Sequence, residues 1–99
     1  MESTRFLLKL KFNKDGQMRF FSQLDLVRVF ERALRRADLP LYFTKGFNPR
    51  VKLSFGNALK LGQAGEVDVT FYFIRQISVD EFKEKLIPQL PEGLSFKIN

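Results

Sequence analysis

The segment over residues 45–52 combines cations, an aromatic ring and residues that shape a turn. Its cations are Lys45, Arg50 and Lys52, and its turn-forming residues are Gly46, Asn48 and Pro49. Glycine permits a positive φ, asparagine tolerates one, and proline sets the direction in which the chain leaves the turn. Cations interleaved with Phe47 suit a phosphate backbone and a stacked nucleobase, so the segment predicts a nucleic-acid contact. A second interpretation stays open, in which Phe47 packs into the core beneath the turn.

A row of arginines marks one side of a helix that the sequence predicts from Ser22 to Asp38. At about 100° per residue, the apolar face carries Leu26, Val27, Phe30, Ala33, Leu34 and Ala37, and the opposite face carries Arg28, Arg32, Arg35 and Arg36. The first three arginines follow i, i+4, i+7 spacing and would span about 10 Å, a length suited to successive phosphates. Solvation of a helix exterior is the alternative, because Glu31 can pair with Arg35 one turn further on.

The start of this helix is the third candidate. Ser22 has the side chain of an N-cap, and Asp25 lies three residues later, where an acid completes a capping box. Free N–H groups at a helix start can also bind an anion, but capping explains Ser22 and Asp25 without a ligand. No capping role needs Gln23, which is therefore a candidate contact. A single polar site would arise if the fold brought the helix start to the loop, and its members would be Gln23, Asp25, Asn48 and Arg50.

Composition removes several classes of chemistry. The 99 residues contain no Cys and no His. Their absence excludes disulfides, Cys and His metal ligation, thiol nucleophiles and acid/base catalysis by histidine. Glu66 and Asp68 are expected on opposite faces of one strand, where they could not act as a catalytic pair. We therefore expect neither an enzyme nor a cofactor.

Charge is distributed unevenly along the chain. The net charge is +6, and the excess of Lys and Arg lies in residues 5–60, whereas residues 61–99 are mildly acidic. A basic surface favours a polyanionic partner, of which nucleic acid is the commonest. The alternative is that the cations only keep a chain with twelve Phe soluble. No apolar run approaches the roughly 20 residues of a membrane span, so a cytoplasmic protein with no membrane partner is expected.

Alternating apolar residues predict strands over 5–12, 51–55, 66–74 and 94–98. Ser78 and Glu81 predict the start of a second helix, which Pro88 should end near Ile87. Shorter extended segments are expected over 18–21 and 41–44, and an irregular connection over 57–65. Two β-α-β crossovers that share one sheet give an α+β fold, a ferredoxin-like βαββαβ sandwich with two helices on one face of an antiparallel sheet. We expect one such domain over residues 1–99, with room for extra short strands.

Three separated motifs recur in order and resemble one bacterial family. They are MRFFSQLDL, ERALRRADLP and KGFNPRVKLSFGNALKLG. Over residues 6–62 the chain is similar to the radical-SAM-linked domains of unknown function, which are fused to radical SAM enzymes or encoded separately. The patterns expected of that family are RF-x-S-H-L-D-L, E-R-A-x-R-R-A-x-L-P, G-F-N-P-H-P-K-x-S-F and L-P-L-G. The chain departs from them with Gln23 and Arg50 at histidine positions and with Val51 and Lys60 at proline positions.

The resemblance implies a companion to radical SAM or RNA-related enzymes and supplies no known reaction. A family domain is typically longer, so this chain would be a compact member or the leading portion of a larger protein. The motifs and the basic surface together predict a non-catalytic module that binds RNA, either tRNA or rRNA, for a modifying enzyme. The alternative is a protein-interaction module that docks on a radical SAM enzyme through its strand edges or its Phe-rich surface. The sequence leaves the oligomeric state open.

Overall fold

A computed structural model describes residues 6–56 and 65–96, which form four strands and two α-helices. In chain order they are β1 (Phe6–Lys14), α1 (Gln23–Arg36), β2 (Leu53–Phe55), β3 (Gly65–Phe73), α2 (Val79–Leu86) and β4 (Leu94–Phe96). The strands pair antiparallel in the order β2-β3-β1-β4. This order confirms the ferredoxin-like α+β fold. None of the helices in the part described is long and apolar enough to cross a bilayer.

The central pair of strands confirms the predicted alternation. β1 lies antiparallel to β3 over its whole length, with Phe6 opposite Phe73 and Lys14 opposite Gly65. Residues Phe6, Leu8, Leu10 and Phe12 of β1 pack with Val67, Val69, Phe71 and Phe73 of β3 in the core. Successive side chains of a strand point to opposite faces, so the intervening residues of both strands form a second, open face.

Phenylalanines join both helices to the same face of the sheet. Phe30 of α1 lies edge-on to Phe12 and Phe71, with ring centroids 4.9 and 5.7 Å apart. Phe82 of α2 lies 4.8 Å from Phe71 and 5.6 Å from Phe73. Each such pair contributes about 0.5–1.5 kcal/mol beyond the burial of its area. The rings therefore form one contiguous core between the helices and the sheet.

Local signals set both ends of α1. The Ser22 hydroxyl accepts from the Asp25 N–H, and the Asp25 carboxylate accepts from the Ser22 N–H, so the predicted capping box is present. At the other end Ala37 is the C-cap, and Asp38 takes a φ of 55°. Asp38 in this left-handed conformation turns the chain out of the helix, and the Lys85 ammonium donates to its carbonyl at 3.2 Å.

The prediction for residues 18–21 is wrong, because Gly16–Phe20 forms a 3-10 helix instead of an extended strand. β3 occupies one edge of β1 along its length, and β4 occupies the other edge at Phe12–Lys14, next to the turn, where a strand over residues 18–21 would have to begin its pairing. The Asp15 N–H instead donates to the Gly93 carbonyl at 2.9 Å, and Met18 turns into the core.

Other boundaries shift by a few residues. Residues 41–44 make only isolated bridges, Leu41 with Phe73 and Phe43 with Val51, so the strand predicted over 51–55 shortens to Leu53–Phe55. α2 ends at Leu86 and continues as a 3-10 turn over Ile87–Gln89 that contains Pro88, which confirms where that proline ends the helix. The irregular connection predicted over 57–65 falls on residues 57–64, outside the described residues, apart from Gly65, which begins β3. Ile98 of the predicted last strand also lies outside the described residues.

Glu66 and Asp68 lie on the same, open face of β3. Residues two apart on a strand point the same way, so the expectation of opposite faces is wrong. The Asp68 carboxylate forms an ion pair with the Lys11 ammonium of the neighbouring strand, with 3.0 Å between Oδ1 and Nζ. This carboxylate raises the pKa of Lys11, first by a hydrogen bond and then by its charge.

We predict that Phe12→Ala lowers the free energy of unfolding by about 3–5 kcal/mol, because the ring is fully buried and packs against both neighbouring strands and α1. Urea unfolding followed by circular dichroism measures this loss. Leu7→Ala is the matched control on the same strand. Leu7 points to the open face and is half exposed, so its truncation should cost about 0.5 kcal/mol or less. Equal losses in the two variants would contradict the proposed core.

Candidate nucleic-acid interface

The four arginines of α1 all lie on its exposed side and form what we call the arginine ridge: Arg28, Arg32, Arg35 and Arg36. At about 100° per residue, Arg35 lies to one side of Arg28, and Arg32 and Arg36 lie to the other. The first side faces residues 43–50, where the Arg35 guanidinium lies 5.2 Å from the centre of the Phe43 ring. The second side borders a groove formed with the two 3-10 segments.

Three members of the ridge remain available to a ligand. Within residues 6–56 and 65–96, no ion pair involves Arg28, Arg32 or Arg36. Neighbouring like charges on a helix repel one another and are stabilised by an added anion. The hydrogen bonds of Ser22 lower the pKa of Asp25, and the charge of Arg28 helps to lower it, whereas Arg32 and Arg36 have no acidic partner in the described ranges. The ridge is therefore an exposed cationic surface that acidic side chains neutralise only at its Arg28 end.

Residues 44–50, which we call the tip loop, are closed at their base by two hydrogen bonds. The Thr44 N–H donates to the Arg50 carbonyl at 2.7 Å, and the Arg50 N–H donates to the Thr44 hydroxyl at 3.0 Å. Gly46 takes a φ of 133°, as its residue type predicted, whereas Asn48 keeps a negative φ. Lys45, Asn48 and Pro49 are exposed around the turn.

Phe47 projects from the tip loop into solvent. Its relative exposure is 104%, so the fold removes none of its surface from water. The interpretation in which Phe47 packs into the core is therefore wrong. The bridge between Phe43 and Val51 and the hydrogen bonds between Thr44 and Arg50 join the two arms of the loop, and the Phe47 ring lies beyond them.

Arg50 joins the tip loop to α1. Its guanidinium donates through Nε to Glu31 at 3.2 Å and through Nη2 to the other oxygen of the same carboxylate. The Glu31 side chain is 12% exposed and that of Arg50 is 53% exposed. The hydrogen bond and the charge of Glu31 raise the pKa of Arg50 above its ordinary value. Arg50 thus positions the loop. The Glu31–Arg35 pair that a solvated helix exterior would allow is not formed, because Glu31 faces Arg50 instead.

The start of α1 is occupied by its own caps. Both the N–H and the hydroxyl of Ser22 donate to the Asp25 carboxylate at 3.0 Å. These bonds lower the pKa of Asp25 below its ordinary value. At a pH above the ordinary pKa of an aspartate, these hydrogen bonds stabilise the folded protein. This stabilisation is lost as the pH falls through the lowered pKa of Asp25 in the folded state. Gln23 is exposed beside them.

The polar site expected from Gln23, Asp25, Asn48 and Arg50 does not assemble. Arg50 meets the helix at Glu31, eight residues beyond Gln23, which is about 12 Å along the helix axis. No hydrogen bond or ion pair in the described ranges joins the helix start to the tip loop. No group of His, Cys, Asp and Glu in those ranges converges as metal ligands would.

Lys52 lies apart from the tip loop, over the open face of the sheet. Its ammonium stands 5.0 Å from the centre of the Tyr72 ring, and the Tyr72 hydroxyl lies 3.3 Å from that of Ser54. Neither Phe43 nor Tyr72 was predicted as the partner of a cation, because each contact joins separate segments of the chain. The anchoring role of Glu31 had a signal that was overlooked. Glu31 lies beside the apolar face of the helix, where a carboxylate requires a partner.

The profile of a bacterial family, DUF2344, described as an uncharacterized protein conserved in bacteria, matches residues 7–98. The match extends over nearly the whole chain and includes the arginine ridge, the tip loop and both helices. Comparisons with curated proteins and with solved structures gave no match.

We predict that Glu31 and Arg50 are energetically coupled. Arg50→Met leaves a largely buried carboxylate without its cation and should lower the urea midpoint clearly. The double variant Glu31→Gln/Arg50→Met should lose less than the sum of the single losses. The exposed pair Arg75–Glu81, 3.5 Å apart, is the control and should show almost no coupling. Additive losses at Glu31 and Arg50 would contradict the anchoring role.

Proposed function

We propose that this chain, which belongs to the uncharacterized bacterial family DUF2344, is a non-catalytic module that binds RNA for a modifying enzyme. The RNA classes best suited are tRNA and rRNA, whose loops offer unstacked bases next to a folded phosphate backbone. One observation carries the proposal. A fully exposed phenylalanine, Phe47, stands at the tip of a loop that is pinned to a helix whose exposed side carries arginines outside any ion pair in the described ranges.

The exposure of Phe47 favours a ligand with a flat apolar surface. Burial of a phenylalanine side chain stabilises a protein or a complex by about 1.5–3 kcal/mol. Phe47 is not buried by the fold, so this free energy is available to a ligand that covers the ring. A nucleobase stacked on an aromatic side chain contributes about 1–3 kcal/mol and can be any of the four bases. The closed base of the tip loop constrains the backbone that carries the ring, so less backbone entropy is lost when the base binds.

The arginine ridge supplies the electrostatic part of binding. Arg28, Arg32 and Arg36 are exposed and have no ion-pair partner in the described ranges, so each can approach a phosphate. Lys45 adds a cation beside Phe47. Each phosphate contact releases counterions, so affinity should fall steeply as salt rises. The Glu31–Arg50 pair keeps the aromatic tip and the cations in one arrangement.

Docking on a radical SAM enzyme is the second candidate function, supported by the resemblance of the three motifs. One structural feature favours it. Leu7 and Ile74 are both more than half exposed on the open face of the sheet, where Leu7 lies opposite Tyr72. Two exposed apolar side chains at one end of a sheet suit a protein contact. This surface lies on the opposite side of the sheet from the helices, so a variant can test it separately.

The first test is binding to total small RNA at about 50 and 200 mM salt, the range over which phosphate contacts weaken strongly. Arg28→Glu should weaken binding. It should also make the fall of log affinity with log salt less steep, by about the amount that one phosphate contact contributes. Lys9→Glu is the matched control, since it makes the same charge change on the open face of the sheet. Binding that does not depend on salt, or equal losses in both variants, would contradict the proposed surface.

The second test separates stacking from charge. Phe47→Ala should weaken RNA binding roughly tenfold, in line with the loss of one stacked base, and should leave the salt slope unchanged. Because the ring touches no core residue, the unfolding midpoint should not change. Leu7→Ala removes an exposed apolar side chain from the open face and serves as the control. Unaltered affinity of Phe47→Ala would count against RNA binding by the tip loop.

A further inference from the structure

A groove of about 320 Å³ runs along the side of α1 that faces away from the tip loop. Its apolar walls include Phe21, Val29 and Pro91, and its polar groups are Arg32, Arg36 and Gln89. The volume lies at the lower end of the range found for small-ligand pockets, roughly 300–1,000 Å³. The groove is therefore large enough for one small organic group.

The walls of the groove are held by contacts outside it. The buried Lys14 ammonium donates to the Phe21 carbonyl at 3.2 Å and fixes the chain where it enters α1. Gly93 has a φ of 94°, and a Cβ there would lie 2.7 Å from the Asp15 carbonyl oxygen and 2.9 Å from Met18. Only glycine allows this close approach, which keeps Met18 at the floor of the groove. The groove thus exists before any ligand binds.

The charges of the groove select the class of ligand. Arg32 and Arg36 are four residues apart, about 6 Å along the helix, and neither has an acidic partner among the described residues. A purely apolar ligand would leave both guanidinium groups uncompensated. A ligand with anionic groups and a flat apolar body satisfies the arginines and the apolar walls together. The Gln89 amide can both donate to and accept from the edge of that body.

We propose that this groove holds one unstacked nucleotide of the bound RNA. Its base lies against Phe21 and Val29 with its edge at Gln89, and its two flanking phosphates meet Arg32 and Arg36. This assignment rests on the proposed RNA binding and adds a second base contact to that of Phe47. Because Arg32 and Arg36 belong both to the ridge and to the groove, one strand can cross α1 with a base on each side of the helix.

The test measures binding of the heptamers oligo(U) and oligo(A) by fluorescence anisotropy. Val29→Phe fills the groove without a change of charge and should weaken binding of the better heptamer about tenfold, with the salt slope unchanged. Val79→Phe adds the same volume at an exposed site on α2 and should have no effect. Gln89→Ala should reduce the ratio of the two affinities at least threefold. Thermal unfolding checks that each variant is folded. If Val29→Phe does not fold, the result for Gln89→Ala alone tests whether the groove binds a nucleotide.

The outcomes separate the groove from the wider proposal. Suppose that Val29→Phe and Gln89→Ala both bind the two heptamers as tightly as the unaltered protein and keep the same salt dependence. This result would overturn the proposal that the groove holds a nucleotide, and it would leave RNA binding by the ridge and Phe47 in place. Failure of the unaltered protein to bind either heptamer or total small RNA at low salt would overturn both.

Discussion

The edge-to-face packing of Phe30 against Phe12 and Phe71 fixes α1 on the sheet, and the direction of the arginine ridge depends on it. With Phe30 buried, the helix can present only one side to solvent, and that side carries the arginine ridge. A rotation of the helix by one residue would expose Phe30 and bury a guanidinium. The cost of either change is several kcal/mol, so the direction of the ridge follows from the core.

The second constraint divides the cations by their surroundings. Arg50 lies against a nearly buried carboxylate and serves the structure, whereas Arg28, Arg32 and Arg36 have no such partner in the described ranges. Glu31 therefore does two things for the proposed interface. It neutralises the one arginine that would otherwise compete for phosphate at the base of the tip loop, and it ties that loop to the helix. The Arg50 guanidinium provides the two donors that bind both oxygens of this carboxylate.

Much of the fold could be predicted from short-range signals. The capping box of Ser22 and Asp25, the 3.6-residue period of α1 and the alternation of β1 and β3 are all written in neighbouring residues, and each is present in the structure. The 3-10 helix at Gly16–Phe20 was not predicted, because it depends on β4, which begins 78 residues after Gly16 and pairs with β1 at Phe12–Lys14, next to the turn. The exposure of Phe47 was left open for the same reason, since residue type alone does not say whether a loop folds over its own aromatic side chain.

The candidate site shows the same limit. The arginines and the tip loop could be named from their spacing, but their relation to one another could not. Glu31 and Arg50 are 19 residues apart, and the groove joins segments from three parts of the chain, so neither leaves a local pattern. Spatial neighbours of this kind require the topology before they can be identified.

Ultraviolet crosslinking of the protein to uridine-containing RNA tests the central claim most directly. A base stacked on Phe47 should crosslink to that ring, and trypsin, which cuts after Lys45 and Arg50, would release the adduct on a peptide of residues 46–50. We expect this peptide to carry the main crosslink and the adduct to disappear at high salt. Crosslinks confined to β1 or β3, on the open face of the sheet, would contradict it.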